Sequence, residues 1–144
     1  MIQVVPMQIK HLDAVVKIEA DSNIIAWSKS KLLNDFYKPY SFYFVAIKNN
    51  LVCGYASMYC QIDAHITNII VAENFRSIGI GSLLLQNLID TAMQKNFDCL
   101  TLEVKISNII AQRLYTKFAF KPIALKKNFY PDTNEDAIIM QKYF

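Results

Sequence analysis

The chain predicts an α/β fold built on a mixed sheet. Three observations carry this: apolar or alternating runs of strand length, apolar residues recurring at helical spacing between them, and glycines held back for one strand-to-helix turn. Only three glycines occur in 144 residues, and two of them stand together in Arg76-Ser77-Ile78-Gly79-Ile80-Gly81-Ser82. Hydrophobic residues make up 53% and charged residues 19%, with no Pro-, Gly- or Ser-rich interruption, so composition excludes a disordered or low-complexity chain. The length supports one domain over residues 1–144, with a real core and no room for a second.

Taken in order, Ile2 to Met7 reads as an opening strand, after which Ile9, Leu12, Val15, Val16 and Ile18 recur with helical spacing up to Asp21. Ser28 caps a second helix through Leu32, Leu33 and Phe36, closed before Pro39. Phe42–Lys48 and Leu51–Cys60 form two β-runs around Asn49-Asn50, because asparagine tolerates the positive φ of a hairpin turn. Ile62 to Val71 extends the meander by a third strand. The glycine turn then opens a helix with Ile80, Leu84, Leu88 and Ala92 on one stripe, widened by Leu83, Ile89 and Met93. From Asp98 to Lys105, Leu100, Leu102 and Val104 alternate with Thr101, Glu103 and Lys105, the signature of a strand. Ser107-Asn108 caps a fourth helix carrying Ala111, Leu114, Tyr115 and Phe118 and ending near Phe120. Lys121–Asn128 and Asp136–Tyr143 close the chain as an antiparallel pair joined by Tyr130-Pro131-Asp132. The order is β-α-α-β-β-β-α-β-α-β-β.

The glycine turn is the first chemical signal. Glycine lets the backbone turn tightly, and the free N–H groups of a following helix N-terminus attract phosphate oxygens. No Gly-Lys-Ser/Thr follows, which excludes a P-loop, and the third glycine of a dinucleotide fingerprint is missing. Cys53, Cys60 and Cys99 lie in apolar strand segments without the close Cys/His pairs of a zinc site, so they read as buried thiols in a reducing compartment, and no metal is predicted. The N-terminal residues carry neither a signal-peptide pattern nor a membrane-spanning run, which predicts a soluble, cytoplasmic protein without membrane contact. A net charge of +3 is too small to call for nucleic acid, and the cluster Lys117, Lys121, Lys126 and Lys127 reads as a solvated face. His11 and His65 read as helix-surface and strand-surface residues.

The pattern Arg-x-x-Gly-x-Gly, preceded by Ile69-Ile70-Val71-Ala72 and followed by Leu83-Leu84-Leu85, resembles the acetyl-CoA pyrophosphate loop of the GNAT family of N-acetyltransferases. The likeness extends along essentially the whole chain. It includes Ala26-Trp27-Ser28, Leu102-Glu103-Val104 with Ser107-Asn108, Leu114-Tyr115, Lys127-Asn128-Phe129-Tyr130-Pro131 and Glu135-Asp136-Ala137-Ile138-Ile139-Met140. Within the family these segments resemble the bacterial enzymes that acetylate the N-terminal alanine of a small-subunit ribosomal protein. The resemblance implies a mixed, mostly antiparallel central sheet flanked by helices, with acetyl-CoA as co-substrate between the strand ending at Val71 and the strand ending at Lys105.

By the same resemblance, the main chain of Ile69, Ile70 and Val71 meets the pantetheine arm, with an N–H near Ile70 facing the oxyanion. Arg76, Ser77, Ile78, Gly79, Ile80, Gly81 and Ser82 wrap the pyrophosphate, and Asn108 serves as both helix cap and CoA contact. Glu103 is implied as general base and Tyr115 as general acid, while Trp27 and Tyr130 are candidates for lining the peptide groove. The chain departs from the family at Ala119, where glycine is usual, and an alanine there predicts a locally reshaped turn. The resemblance leaves open an acceptor that is a lysine side chain or small amine, and a non-catalytic acyl-CoA-binding module.

Overall fold

A computed structural model describes residues 1–23 and 25–144. Its elements are β1 (Ile2–Pro6), α1 (Leu12–Ser22), α2 (Lys29–Phe36), β2 (Ser41–Lys48), β3 (Leu51–Cys60), β4 (Ala64–Val71), α3 (Ile80–Gln94), β5 (Cys99–Lys105), α4 (Ile109–Lys117), β6 (Lys121–Tyr130) and β7 (Glu135–Tyr143). The strands form one sheet in the order β1-β2-β3-β4-β5-β7-β6. Every neighbouring pair is antiparallel except β4 and β5. No helix among the described residues is long and apolar enough to cross a membrane.

The sheet is covered on both faces, and residue size along β2 and β3 separates the two sides. The small Ala46, Cys53 and Ala56 lie under Ile80, Leu84, Leu85 and Leu88 of α3, so that helix packs close to the strands. The large Tyr43, Val45 and Tyr55 point the other way, into a second cluster with Leu12, Val15 and Ile18 of α1 and Leu32 of α2. Local chemistry sets the ends of these elements. Ser28 caps α2 by accepting from the Lys31 N–H at 3.1 Å. Asn49 and Asn50 take φ of 51° and 63°, the left-handed pair that a two-residue hairpin turn requires.

Several boundaries differ from the sequence expectation. The first helix enters through a 3-10 turn at Ile9–His11. β4 begins at Ala64, and Ile62 is 96% exposed in the turn before it. Tyr130 closes β6 instead of standing in the loop. Of the three cysteines only Cys53 is buried; Cys60 and Cys99 are half-buried because they sit at strand ends.

Candidate active site

A cleft opens where β4 and β5 part. The two strands pair only at Ala64–Leu100 and His65–Thr101. Just beyond, Ser57 of β3 faces Asn68 while Met58 faces Ile66, so Thr67 is an extra residue, a β-bulge that bends β4 away. The Ser57 and Thr67 hydroxyls, 2.6 Å apart, tie the bulge to β3. From Ile66 onward β4 has no partner on its β5 side, which leaves backbone groups there for an extended ligand to pair with. The cleft encloses about 640 Å³ and reaches from Ser22 and Asn23 at the end of α1, past Asn68–Val71 and Gly79–Ser82, to Glu103, Asn108, Tyr115 and Tyr130.

At one end lies the N-terminus of α3. Its first helical hydrogen bond runs from the Leu83 N–H to the Gly79 carbonyl at 3.1 Å, and no side chain caps the helix. The N–H groups of Ile80, Gly81 and Ser82 precede that bond and are free for an anion, with the helix dipole behind them. Gly79 takes φ +92°, which a side-chain-bearing residue rarely adopts, and Ser77 also turns left-handed at φ 66°. A Cβ on Gly81 would lie 3.5 Å from Leu114 and 3.9 Å from Val71, ordinary contacts for the protein. Packing thus does not require glycine at Gly81, and the free amides of this helix start are suited to an anion.

The remaining loop residues divide. Arg76 spends its Nε–H on the Val71 carbonyl at 3.1 Å, pinning the loop to the end of β4. Ile78, expected at the pyrophosphate, is half exposed and lies off the cleft lining, because the left-handed residues on either side turn it outward.

The fourth helix holds the opposite wall. Asn108 Oδ1 accepts from the Ala111 N–H at 3.1 Å, and the Gln112 side-chain amide donates to the Lys105 and Ile106 carbonyls, fastening the helix start to the end of β5. Its C-terminus closes through Ala119, which keeps the left-handed geometry at φ 68°. The turn is not reshaped, contrary to the sequence expectation. The Phe120 N–H bonds to the Tyr115 carbonyl and the Ala119 N–H to that of Thr116, the paired bonds of a Schellman cap. This folds the buried Phe120 ring back against Tyr115, 5.9 Å between centroids, and locks the tyrosine into the cleft wall. The Tyr115 hydroxyl has no hydrogen-bond partner among the described residues, and burial holds its phenol above its ordinary pKa.

Glu103 projects from the middle of β5 on the face opposite Leu102 and Val104. Its Oε2 meets the Nε2 of His65, and its Oε1 lies 3.5 Å from Lys126 Nζ on β6. Burial pushes its carboxyl pKa up, but the His65 hydrogen bond and the charges of His65 and Lys126 outweigh that and hold it below the usual carboxylate value. Tyr130 lines the cleft nearby, its phenol pushed up to about 12 by burial and by the carboxylates of Glu103, Asp132 and Glu135. The Lys105 ammonium lies 5.2 Å from the Tyr130 ring centre and bonds Asp132 at 2.8 Å, fixing the end of the β6–β7 hairpin.

Neither of the two neighbours of Glu103 is singled out as a site residue by the sequence. His65 is a half-buried residue turned onto Glu103 and not a strand-surface histidine, while Lys126 keeps its exposed position on β6 and from there reaches the Glu103 carboxylate. Only the β4–β5 register brings His65 to Glu103. Trp27, a candidate for the groove, is absent from the lining. It packs against the cluster that holds Leu12, Val15, Ile18 and Leu32, and its backbone N–H bonds to Glu19 at 2.9 Å. Glu19 itself was not singled out: 2% exposed, it also accepts from Tyr55 and Asn23, and so anchors the α1–α2 connection at the cleft edge.

Comparison with known proteins agrees with this architecture. A Bacillus subtilis protein is 35% identical over 136 residues, spanning 93% of this chain and 90% of its own length. The ribosomal protein bS18-alanine N-acetyltransferase of Escherichia coli is 32% identical over 132 residues, 90% of this chain and 88% of its own. The crystal structure of the Escherichia coli ribosomal-protein-S18-alanine N-acetyltransferase superposes with a TM-score of 0.91 over 99% of this chain and 94% of that one, at 28% identity. A GNAT family acetyltransferase from Elizabethkingia anophelis with acetyl-CoA bound, 25% identical, superposes with a TM-score of 0.78 over 99% of this chain and 98% of that one. The sequence pattern of the acetyltransferase (GNAT) family matches residues 12–120, which include the bulged strand, the glycine turn, Glu103 and Tyr115, and the chain belongs to that family.

Proposed function

We propose that this chain transfers the acetyl group of acetyl-CoA to the α-amine of an N-terminal alanine, that of ribosomal protein bS18, in a direct ternary-complex reaction. The observation that carries the reading is that one cleft brings together an uncapped helix N-terminus, an unpaired strand edge, a carboxylate and a phenol. The name of the Escherichia coli relative, which matches nine-tenths of the chain, supports the choice of acceptor. A ribosomal-protein acceptor sets the reaction in the cytoplasm, and the 144 residues act as one domain.

Acetyl-CoA supplies the activated acyl group; the protein supplies position and proton handling. The Ile80, Gly81 and Ser82 amides and Asn108 hold the phosphate and pantetheine portions, and the main chain of Ile69–Val71 pairs with the arm. Glu103 handles the amine proton. An α-amine titrates near 7.7–8.0 and a free glutamate near 4.3, so direct transfer from the ammonium runs uphill by about 5 kcal/mol, and the lowered pKa of Glu103 widens the gap. Glu103 therefore binds and orients the amine, and takes its proton as the new C–N bond makes that nitrogen acidic.

Tyr115 faces a parallel limit at the other end. A phenol near 10 donating to a thiolate whose conjugate thiol lies near 8.5 is already uphill by about 2 kcal/mol. The hydrogen bond Tyr115 gives the departing sulfur is thus its main contribution, with the proton following.

The test is incubation with acetyl-CoA and a peptide carrying the bS18 N-terminal segment, the acetyl group located by fragmentation mass spectrometry. Acetylation of the terminal alanine is the expected result. Modification of a lysine side chain instead would move the acceptor class, and CoA binding without transfer would overturn the catalytic reading.

A further inference from the structure

We propose that His65 is a positioning residue for the transfer: from behind the cleft wall it holds Oε2 of Glu103, so that Oε1 is the oxygen offered to the acceptor amine. The proposal rests on the reading of Glu103 given above and adds the device that aims it. His65 stands on the last paired rung between β4 and β5, opposite Thr101, and its side chain crosses to Glu103 two residues on, where the strands begin to part. It does not line the cleft, so its part is played through Glu103 and not on the substrate.

The two oxygens of Glu103 are held very differently. On the Oε2 side, the His65 ring is stacked on Tyr59, centroids 5.3 Å apart and planes within 13°, and the His65 and Glu103 side chains are 16% and 17% exposed. A ring gripped between a stacked tyrosine and a hydrogen bond has little freedom to turn. On the Oε1 side the partner is Lys126, at the 3.5 Å limit of hydrogen bonding, on a flexible side chain that is half exposed, from edge strand β6 whose residues Lys121–Phe129 are all exposed. An arriving amine can take the place of that lysine at Oε1, whereas the stacked histidine keeps Oε2. The carboxylate is thereby fixed at one oxygen and yielding at the other, which a group that must receive an amine at one angle needs.

The experiment compares steady-state rates of His65→Ala, His65→Gln, His65→Asn and Glu103→Gln, together with the His65→Ala/Glu103→Gln double variant. His65→Ala is expected to lower kcat by roughly tenfold with KM for acetyl-CoA unchanged, since small misplacements of a catalytic group cost rate by that order. His65→Gln, whose amide N–H reaches where Nε2 donated, is expected to recover most of the rate, and the shorter His65→Asn to behave like alanine. Adding His65→Ala to Glu103→Gln is expected to cost less than about twofold more, because residues acting as a unit are non-additive.

Wild-type kcat in His65→Ala while Glu103→Gln is slow would overturn the proposal, and so would full multiplication of the two effects. If the alanine variant does not fold, equal rates for the glutamine and asparagine variants would overturn it. Wild-type rates in Glu103→Gln would sink the underlying reading of Glu103 instead.

Discussion

A carboxylate and a phenol on facing walls can serve one reaction only if each keeps its protonation state where the chemistry needs it. Glu103 is ionised well below neutral pH because His65 and Lys126 favour its charged form, and Tyr115 stays protonated because burial disfavours its anion. Neither group then titrates near pH 7. The rise of kcat/KM with pH should follow the substrate amine instead, levelling near pH 8, because only the neutral amine attacks. Glu103→Gln is expected to lower that plateau by about 100-fold and leave the acidic limb in place, whereas a limb that vanished with the substitution would assign it to Glu103. Tyr115→Phe is expected to slow turnover while the Kd of CoA, measured by calorimetry, changes less than about twofold, since the ring and its packing on Phe120 are kept.

Two turns at helix ends hold the site, and each uses its residue for a different reason. At the end of α4, Ala119 accepts a left-handed conformation that disfavours any Cβ, and the cap it closes seats Phe120 against Tyr115. Ala119→Gly is accordingly expected to stabilise the protein by about 1 kcal/mol, a rise of roughly 2–4 °C in Tm, without changing CoA affinity. At the start of α3 the case is reversed. The folded chain has room for a Cβ on Gly81, so Gly81→Ala should leave Tm unchanged or slightly raised, yet weaken CoA binding about tenfold. Unaltered CoA affinity in that variant would show that CoA binding does not need bare backbone at Gly81.

For the whole molecule the governing fact is a sheet divided in use: α3 and α4 cover one face, α1 and α2 the other, and the cleft opens where β4 and β5 part. The α1–α2 side is tied to the sheet by polar contacts as well as packing. Glu19 gathers the Tyr55 hydroxyl at 2.8 Å, the Asn23 amide at 3.1 Å and the Trp27 N–H at 2.9 Å, while Tyr43, stacked on Tyr55, donates to Asp35 at 2.6 Å. Glu19→Ala leaves a buried hydroxyl and an N–H without their acceptor and is expected to cost about 2–4 kcal/mol in denaturant titrations. Since Ser22 and Asn23 border the cleft, the same variant should raise KM for the peptide more than KM for acetyl-CoA.

The order and type of the α-helices and strands were legible in the chain, because they follow from local rules: apolar periodicity, Ser28 and Asn108 as caps, paired asparagines at a hairpin. The glycine turn and the polar parity of Glu103 were legible for the same reason, whereas the place of that carboxylate at the cleft was implied only by the family resemblance. Contacts between strands distant in sequence were not legible. The bulge at Thr67 ends the β4–β5 pairing after His65, and that register, invisible in either segment alone, joins His65 to Glu103, while the β5–β7 and β7–β6 registers bring Lys126 across from the other side. Helix and strand formation is decided by neighbours a few residues apart, whereas the partners of a buried charge are chosen by how whole strands come to lie side by side.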